Sequence, residues 1–248
     1  MKQDITRVKS NGEATTEWNY FQLFDASPKN MEGTKTDVMM DIKKKSNHIE
    51  VVMFDFGGVI AEEGFKKGLT VIAEANKLDP EAFIRAAFHC IYASGYVLGK
   101  ADESAFWNVL RQQTGITGDD ASLMHEIFSR FELRNWMIDL VKKLKANHIK
   151  VGILSDQTDM LDKLDRQYDF FKEFDVVFNS YHIGKGKIDP THFDDIARIL
   201  KMEPDRVLFV DDDKGNVERA RQQGWQAIHY VDRDSFQRAF EEILPLES

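Results

Sequence analysis

The sequence contains one cysteine, Cys90, and no long apolar run among its 248 residues. A single cysteine forms no intrachain disulfide, so nothing in the sequence indicates an oxidising compartment. Cys90 lies among apolar residues, which favours a buried thiol over a nucleophile. No apolar run approaches the roughly 18 residues of a membrane span, and the N-terminal residues lack the apolar stretch of a signal peptide. We therefore expect a cytoplasmic protein with no membrane partner.

Basic residues are also in deficit. The chain has 33 Lys and Arg against 42 Asp and Glu, a formal net charge of -9. Nucleic-acid-binding domains normally carry a basic face, so we expect no nucleic-acid partner. A small phosphorylated metabolite is compatible with this balance, because the local charge at a site can oppose the net charge. The length suits one large domain, alone or with a smaller insert.

The first part of the chain differs from the rest. Residues 1–47 are polar and show no sustained period, which predicts an N-terminal extension. The aromatic segment 18–24 within it has two equal interpretations, docking on the domain and solvation.

From Ile49 onward, short runs rich in Val, Ile and Phe alternate with helical stretches, as in a parallel sheet covered on both faces. The predicted strands are 49–54, 150–154, 176–178, 206–210 and 226–230. Helices are predicted near 136–147, 191–201, 216–223 and 235–243. This pattern predicts an α/β fold with a doubly wound parallel sheet.

The segment between the first two predicted strands is far longer than an ordinary connection with one helix. Its periodic stretches predict four helices, at 66–77, 80–88, 103–112 and 121–131. We therefore expect a core formed by residues 48–62 and 132–248, with residues 63–131 inserted as an α-helical cap.

Polar residues directly follow several of the predicted strands, where ligands of open α/β sheets bind. The segments are 55–58, 155–156, 185–187 and 211–213. Taken singly, each is better explained as a tight turn, a helix N-cap or a solvated loop. Together they lie on one rim of one sheet and supply every part that phosphoryl transfer needs.

Two groups of carboxylates, Asp55 and the 211–213 cluster, would repel each other in a partly dry site unless a cation lay between them. Oxygen ligands select a hard ion such as magnesium, and the sequence has no His or Cys cluster with zinc spacing. Mg²⁺ is therefore the predicted cofactor, and it would also neutralise an incoming phosphate.

The other residues of these segments suit a phosphate group. Lys187 supplies a second positive charge, and the Ser155 hydroxyl is a donor to phosphate oxygens. Gly57 and Gly58 let the backbone approach closely, and free amides after a strand make an anion-binding nest. A carboxylate such as Asp55 can act as a covalent nucleophile.

In their order along the chain, these segments resemble the haloacid dehalogenase superfamily. In that family strand-Asp, strand-Ser/Thr, Lys and strand-Asp-Asp motifs surround a Rossmann-like core. The resemblance covers residues 49–232 and is specific as a set. It implies that Asp55 is a nucleophile that forms an aspartyl-phosphate, that Ser155 binds phosphate and that Lys187 steadies it.

The resemblance also implies a phosphate site and a metal site. The phosphate-binding residues expected from it are Phe56, Gly57, Ser155, Asp156 and Lys187. The expected metal ligands are Asp55, the carbonyl of Gly57, Asp212 as the main acidic ligand and Asp211 beside it, with Asn216 in support.

The insert resembles the helical cap of subfamily I, and segment 96–107 is similar to the cap of glucose-1-phosphate phosphatase-type enzymes. This similarity implies a small phosphomonoester, with a sugar phosphate as one option. A closing cap disfavours a macromolecular substrate. The candidates for substrate selection are His89, Tyr92, Tyr96 and Lys100.

The sequence departs from the family pattern at three positions. Phosphatases of this superfamily usually carry a second Asp, the general acid, where this chain has Gly57. Asp156 stands where Asn is common, and Ile188 where Pro is common. One hypothesis is that Asp156 partly replaces the missing acid. The favoured alternative is that Asp156 caps a helix that begins near Asp159.

The function that unites these features is magnesium-dependent hydrolysis of a small phosphomonoester through an aspartyl-phosphate. One alternative is a catalytically weak phosphate-binding or regulatory module, which Gly57, Ile188 and the extension favour. A metal-independent dehalogenase that uses Asp55 is less favoured, since the 211–213 cluster has little use without magnesium. The oligomeric state is left open.

Overall fold

The structure is a computed structural model that describes residues 49–246. The predicted extension, with its aromatic segment 18–24, lies outside the described residues. Within them the strands are β1 (Val51–Phe54), β2 (Lys150–Ser155), β3 (Val176–Asn179), β4 (Val207–Asp211) and β5 (Gln226–His229). All pair in parallel, in the order β3-β2-β1-β4-β5. The predicted doubly wound α/β fold is confirmed.

Helices cover the sheet and fill the segment between β1 and β2. The described helices are α1 (Gly64–Ala75), α2 (Pro80–Ala93), α3 (Glu103–Thr114), α4 (Asp120–Phe128), α5 (Asn135–Ala146), α6 (Met160–Tyr168), α7 (Ser180–Ile183), α8 (Thr191–Leu200), α9 (Lys214–Gln222) and α10 (Arg233–Ile243). Short 3-10 turns occur at Tyr96–Leu98, Phe171–Glu173 and Pro204–Arg206. No helix in the range 49–246 is long and apolar enough to cross a membrane.

The central strand β1 is buried on both faces, which explains its uninterrupted apolar sequence. Val51 and Met53 belong to one hydrophobic cluster, and Val52 and Phe54 belong to another. This alternation is the two-residue period of a strand, so β1 contributes to the core on each side of the sheet.

Five helices, α1 to α5, lie between β1 and β2, and α1 to α4 fall within the predicted insert of 63–131. Gly68 lets α1 lie against α4, because a Cβ there would be 2.5 Å from the Cα of Ile127. The apolar side chains of these helices join the core cluster that also contains Val52 and Phe54. The predicted helices are therefore present, whereas the division into a core and a cap of 63–131 stays a prediction.

Candidate active site

The carboxyl ends of three adjacent strands bring the predicted residues together. Asp55 follows β1, Ser155 ends β2 and Asp211 ends β4, and these strands are neighbours in the sheet. The Ser155 hydroxyl donates a hydrogen bond to Asp55 Oδ1 over 2.6 Å, across 100 positions of sequence. The Phe56 amide donates to the same oxygen over 2.7 Å. Strand pairing therefore fixes the position of the Asp55 carboxylate.

Lys187 joins this group from the loop between α7 and α8. Its Nζ lies 2.6 Å from Asp211 Oδ2 and 3.1 Å from Asp55 Oδ1, and the residue is 1% exposed. Burial opposes the charge on Lys187, but the Asp211 and Asp55 carboxylates outweigh it and raise its pKa. Lys187 is therefore a permanent positive charge beside Asp55.

Three carboxylates meet at this point. Asp55, Asp211 and Asp212 each offer an oxygen, and these oxygens lie within 4.8 Å of one another. Burial raises the pKa of Asp55 and of Asp212, and repulsion from Asp212 adds to the effect on Asp55, as repulsion from Asp211 does for Asp212. One lysine does not balance three carboxylates, so the arrangement favours a hard divalent cation. We call Asp55, Ser155, Lys187, Asp211 and Asp212 the polar floor.

Asp211, the last residue of β4, and Asp212, which follows it, differ in their contacts. Asp211 is fully buried, and its oxygens accept hydrogen bonds from Lys187, from the Asp213 amide and from the Asn216 amide group. The Asp212 side chain is 26% exposed and lies 3.8 Å from Lys66 Nζ. Asp212 is thus the more open of the two to a cation. The third acid, Asp213, caps α9 by accepting from the Asn216 backbone amide over 2.8 Å.

Gly58 is required for this packing. Its φ is +79°, and a Cβ there would lie 2.6 Å from the Asp212 carboxylate. Arg134 holds the same turn, because its guanidinium donates to the carbonyls of Gly58 and Val59 and to Glu62. Sequence reasoning missed Arg134, which lies far along the chain from the turn and carries no local motif.

Gly57 leaves room for a Cβ at the position where related phosphatases usually carry the general acid. A Cβ there would be 3.6 Å from the Phe131 ring, 3.7 Å from Gln157 Nε2 and 3.8 Å from Glu63 Oε1, all ordinary contact distances. Burial raises the pKa of Glu63. Neither Gln157 nor Glu63 was predicted, and only the structure brings them to this space.

Asp156 holds the backbone of the lysine loop. Its two oxygens each accept from the Lys187 amide at 3.0 Å, and one accepts from the Tyr92 hydroxyl at 2.7 Å. The N-cap of α6 is Asp159, so the prediction that Asp156 caps this helix is wrong. The reason is that its partner amide lies 31 positions away in the sequence. A proton-donating role for Asp156 stays a hypothesis.

Two further contacts tie the helices after β1 to the sheet side of the site. The Tyr96 hydroxyl donates to Asp159. Lys163 lies 3.0 Å from Asp159 and 3.2 Å from Glu103. Together with the bond from Tyr92 to Asp156, these contacts hold α2, α3 and the turn between them over the polar floor.

A cavity of about 610 Å³ lies above the polar floor. Its lining includes the predicted residues Asp55, Gly57, Ser155, Asp156, Lys187, Asp212 and Asn216, and the unpredicted Glu63, Lys66, Gln157, Thr158 and Arg219. Of the residues considered for substrate selection, Tyr92 lines this cavity, whereas His89, Tyr96 and Lys100 do not. The Phe56 ring instead stacks on Phe131 and Phe170, so any contact of Phe56 with phosphate falls to its backbone.

The sequence profile of haloacid dehalogenase-like hydrolases matches residues 49–224. Bifunctional epoxide hydrolase 2 of Rattus norvegicus is 26% identical over an alignment of 218 residues, and the match covers 79% of this chain and 39% of that protein. The chain thus spans well under half the length of this relative.

Solved structures share the fold. A HAD family enzyme of Bacteroides thetaiotaomicron, solved as a magnesium complex, has a TM-score of 0.62 at 20% identity and covers 77% of this chain and 98% of its own. The L-2-haloacid dehalogenase of Xanthobacter autotrophicus, solved with covalently bound chloropropionic acid, has a TM-score of 0.55 at 18% identity and covers 81% of this chain and 85% of its own.

Proposed function

Because this chain belongs to the haloacid dehalogenase-like hydrolase family, we propose that it hydrolyses a small phosphomonoester with Asp55 as the nucleophile. The observation that carries the proposal is the position of Asp55. Its Oδ1 accepts from Ser155 over 2.6 Å and lies 3.1 Å from Lys187 Nζ, beside two further carboxylates. A nucleophilic oxygen with adjacent donors and a cation site suits attack on a phosphate.

We assign Mg²⁺ as the cofactor, with Asp55, Asp212 and the carbonyl of Gly57 as ligands and Asp211 beside them. The residues fit such an ion, because three carboxylate oxygens within 4.8 Å of one another face only one buried lysine charge. When bound, the ion supplies charge neutralisation to the phosphate. The magnesium complex of the Bacteroides thetaiotaomicron relative supports the assignment.

The chain's own residues perform the remaining tasks. Asp55 attacks phosphorus, the bond to the ester oxygen breaks, and the alcohol leaves after it gains a proton. Water then hydrolyses the aspartyl-phosphate and releases inorganic phosphate. Lys187 and Ser155 bind the phosphate oxygens, and Asp156 positions the Lys187 backbone at 3.0 Å. The small cavity favours a phosphorylated metabolite over a macromolecule.

The open space at Gly57 favours a second candidate, a phosphate-binding module with weak turnover. Without an acid at this position, the leaving alcohol takes its proton from water or from a neighbouring group. The two candidates differ in turnover, which an assay measures directly. The third option, a metal-independent dehalogenase, leaves the group of three carboxylates without a role.

Release of p-nitrophenol from p-nitrophenyl phosphate, with and without Mg²⁺, tests the proposal. We expect magnesium-dependent turnover that falls by at least about 10³-fold in Asp55→Asn, since the nucleophile is lost. Asp139→Asn, an exposed site on α5, is the matched control and retains full activity. Turnover that survives in Asp55→Asn contradicts the nucleophile assignment. Absence of turnover across a panel of phosphate esters, with phosphate binding retained, supports the weak module instead.

A further inference from the structure

Part of the cavity lining lies outside the polar floor and is not used by the reaction described above. The residues of α1, α2 and the following turn that form it are Phe65, Lys66, Phe88, Ile91, Tyr92 and Val97. Met160 and Ile188 extend the apolar surface from the sheet side. We call Phe65, Phe88, Ile91 and Val97 the apolar wall.

Two polar side chains, Tyr92 and Lys66, lie among the residues of the apolar wall, and each has a partner on the sheet side. The Tyr92 hydroxyl donates to Asp156 over 2.7 Å. Lys66 Nζ lies 3.8 Å from Asp212, and 5.9 Å from the centre of the Phe88 ring. The wall therefore presents carbon to whatever extends from a phosphate on the polar floor. Sugar hydroxyls buried against such a surface would lose hydrogen bonds to water without replacement.

The exposure of large apolar side chains is a second, independent observation. Four large apolar residues of the range 49–246 are markedly exposed, and two of them, Phe88 (37%) and Ile188 (64%), line this cavity. They come from separate segments, α2 and the lysine loop. Apolar side chains gathered at a concave site in this way mark a ligand surface. The Phe65 and Phe88 rings meet edge to face at 5.3 Å, which holds the wall in shape.

We propose that the alcohol portion of the substrate is apolar, so that the enzyme acts on an alkyl or aryl phosphate in preference to a phosphorylated sugar. This inference rests on the proposed function, because the phosphate must occupy the polar floor for the alcohol to reach the apolar wall. The cavity volume of about 610 Å³ accommodates a small molecule. The sugar phosphate that the sequence suggested stays the competing prediction.

A homologous substrate series tests the inference. Ethyl, butyl and hexyl phosphates are compared with polyol phosphates of the same carbon number. Burial of each added methylene is expected to raise kcat/KM by about fourfold until the cavity is filled, mainly through KM. At six carbons, kcat/KM for the polyol ester is expected to be lower than kcat/KM for the alkyl ester by about tenfold or more.

Two variants, one on the apolar wall and one on its extension from the sheet side, test whether these apolar side chains cause the effect. Phe88→Ala and Ile188→Ala are each expected to flatten the increase of kcat/KM with chain length. Val231→Ala is the control, since Val231 is as exposed (66%) as Ile188 but does not line the cavity. Val231→Ala is expected to keep the wild-type increase of kcat/KM with chain length.

The outcomes separate the two proposals. If p-nitrophenyl phosphate is hydrolysed but the polyol esters match or exceed the alkyl esters, the apolar substrate class is wrong and the phosphatase function stands. If kcat/KM increases with chain length in both Phe88→Ala and Ile188→Ala as it does in the wild type, these apolar side chains do not bind the alcohol portion. If no ester is hydrolysed, the proposed function and this inference fail together.

Discussion

The polar floor and the apolar wall of the one cavity are built in opposite ways. The floor is a set of buried charges held by side chains and backbone of the sheet, as in the 2.6 Å contact between Lys187 and Asp211. The wall consists of apolar side chains on helices, and some of it is open to water, as Phe88 is. Buried charges without partners are costly, so each floor residue depends on the others. Of the wall residues, Phe88 is exposed and can be replaced at small cost, whereas Phe65, Ile91 and Val97 are buried in the core.

Position in the fold explains the difference. Pairing of Val51 with Lys150 and with Val207 sets the register of the strands that carry the floor, so strand packing fixes its geometry. The wall is carried by α1, α2 and the turn after α2, whose apolar side chains share a core cluster with the sheet and whose Tyr92 donates to Asp156. The floor is thus positioned by strand pairing, whereas the wall is positioned by helix packing.

The strongest test of the floor's interdependence is Lys187→Met. Removal of this charge leaves Asp55 and Asp211 buried without their partner, so we expect a loss of about 3–5 kcal/mol in the free energy of unfolding, and loss of activity. Chemical denaturation measures the effect. Phe88→Ala, on the wall, should cost far less. Equal losses of unfolding free energy in Lys187→Met and Phe88→Ala would show that the floor residues depend on one another no more than Phe88 depends on its neighbours.

Magnesium should act on the floor and leave the wall unaffected. At 100 times its Kd, the ion is expected to stabilise the protein by about 2.7 kcal/mol, seen as a rise in Tm that EDTA reverses. Asp212→Asn should abolish the rise, because Asp212 is the carboxylate open to a cation. In Phe88→Ala the rise should persist. A rise that Asp212→Asn leaves intact would place the metal elsewhere.

A buried histidine on α8 is expected to make the free energy of unfolding depend on pH. His192 is buried, neither ring nitrogen has a hydrogen-bond partner among the described residues, and burial lowers its pKa to about 4. The unfolded chain takes up this proton near pH 6.5, so the contribution of His192 to the free energy of unfolding is full above that pH and falls by about 3 kcal/mol toward pH 4. His192→Leu should remove this part of the pH dependence of unfolding. An unchanged pH profile in the variant would show that His192 is partnered.

Gly57→Asp is expected to produce the smallest effect, a gain of function. The Cβ fits, with its nearest neighbour at 3.6 Å, and the carboxyl would supply the general acid that the position lacks. We expect turnover of alkyl phosphates to rise about tenfold, whereas p-nitrophenyl phosphate, with its good leaving group, should change little. Gly57→Ala is the control. Equal gains for both substrates would argue against an acid role.

Much of the fold could be predicted because β1 and its neighbours are buried on both faces and rich in Val, Ile and Phe. Asp55, Ser155 and Asp211 could be predicted because they follow such strands directly. Helix ends were less predictable: α9 begins at Lys214, before the predicted start, since Asp213 caps it.

The rest of the site depends on contacts between distant segments. Arg134 bonds to Gly58 across 76 positions, and Asp156 bonds to the Lys187 amide across 31. No local pattern marks such pairs. The apolar wall is also hidden in the sequence, because Phe65, Phe88 and Ile91 have the spacing of ordinary helix core residues.

Trapping of the covalent intermediate tests whether Asp55 receives the phosphoryl group. The enzyme is mixed with p-nitrophenyl phosphate and Mg²⁺, quenched in acid within its first turnovers and digested for mass spectrometry. We expect one added phosphoryl group on the peptide that carries Asp55, absent from Asp55→Asn. Turnover with no such label on Asp55, or with the label on another residue, would contradict it.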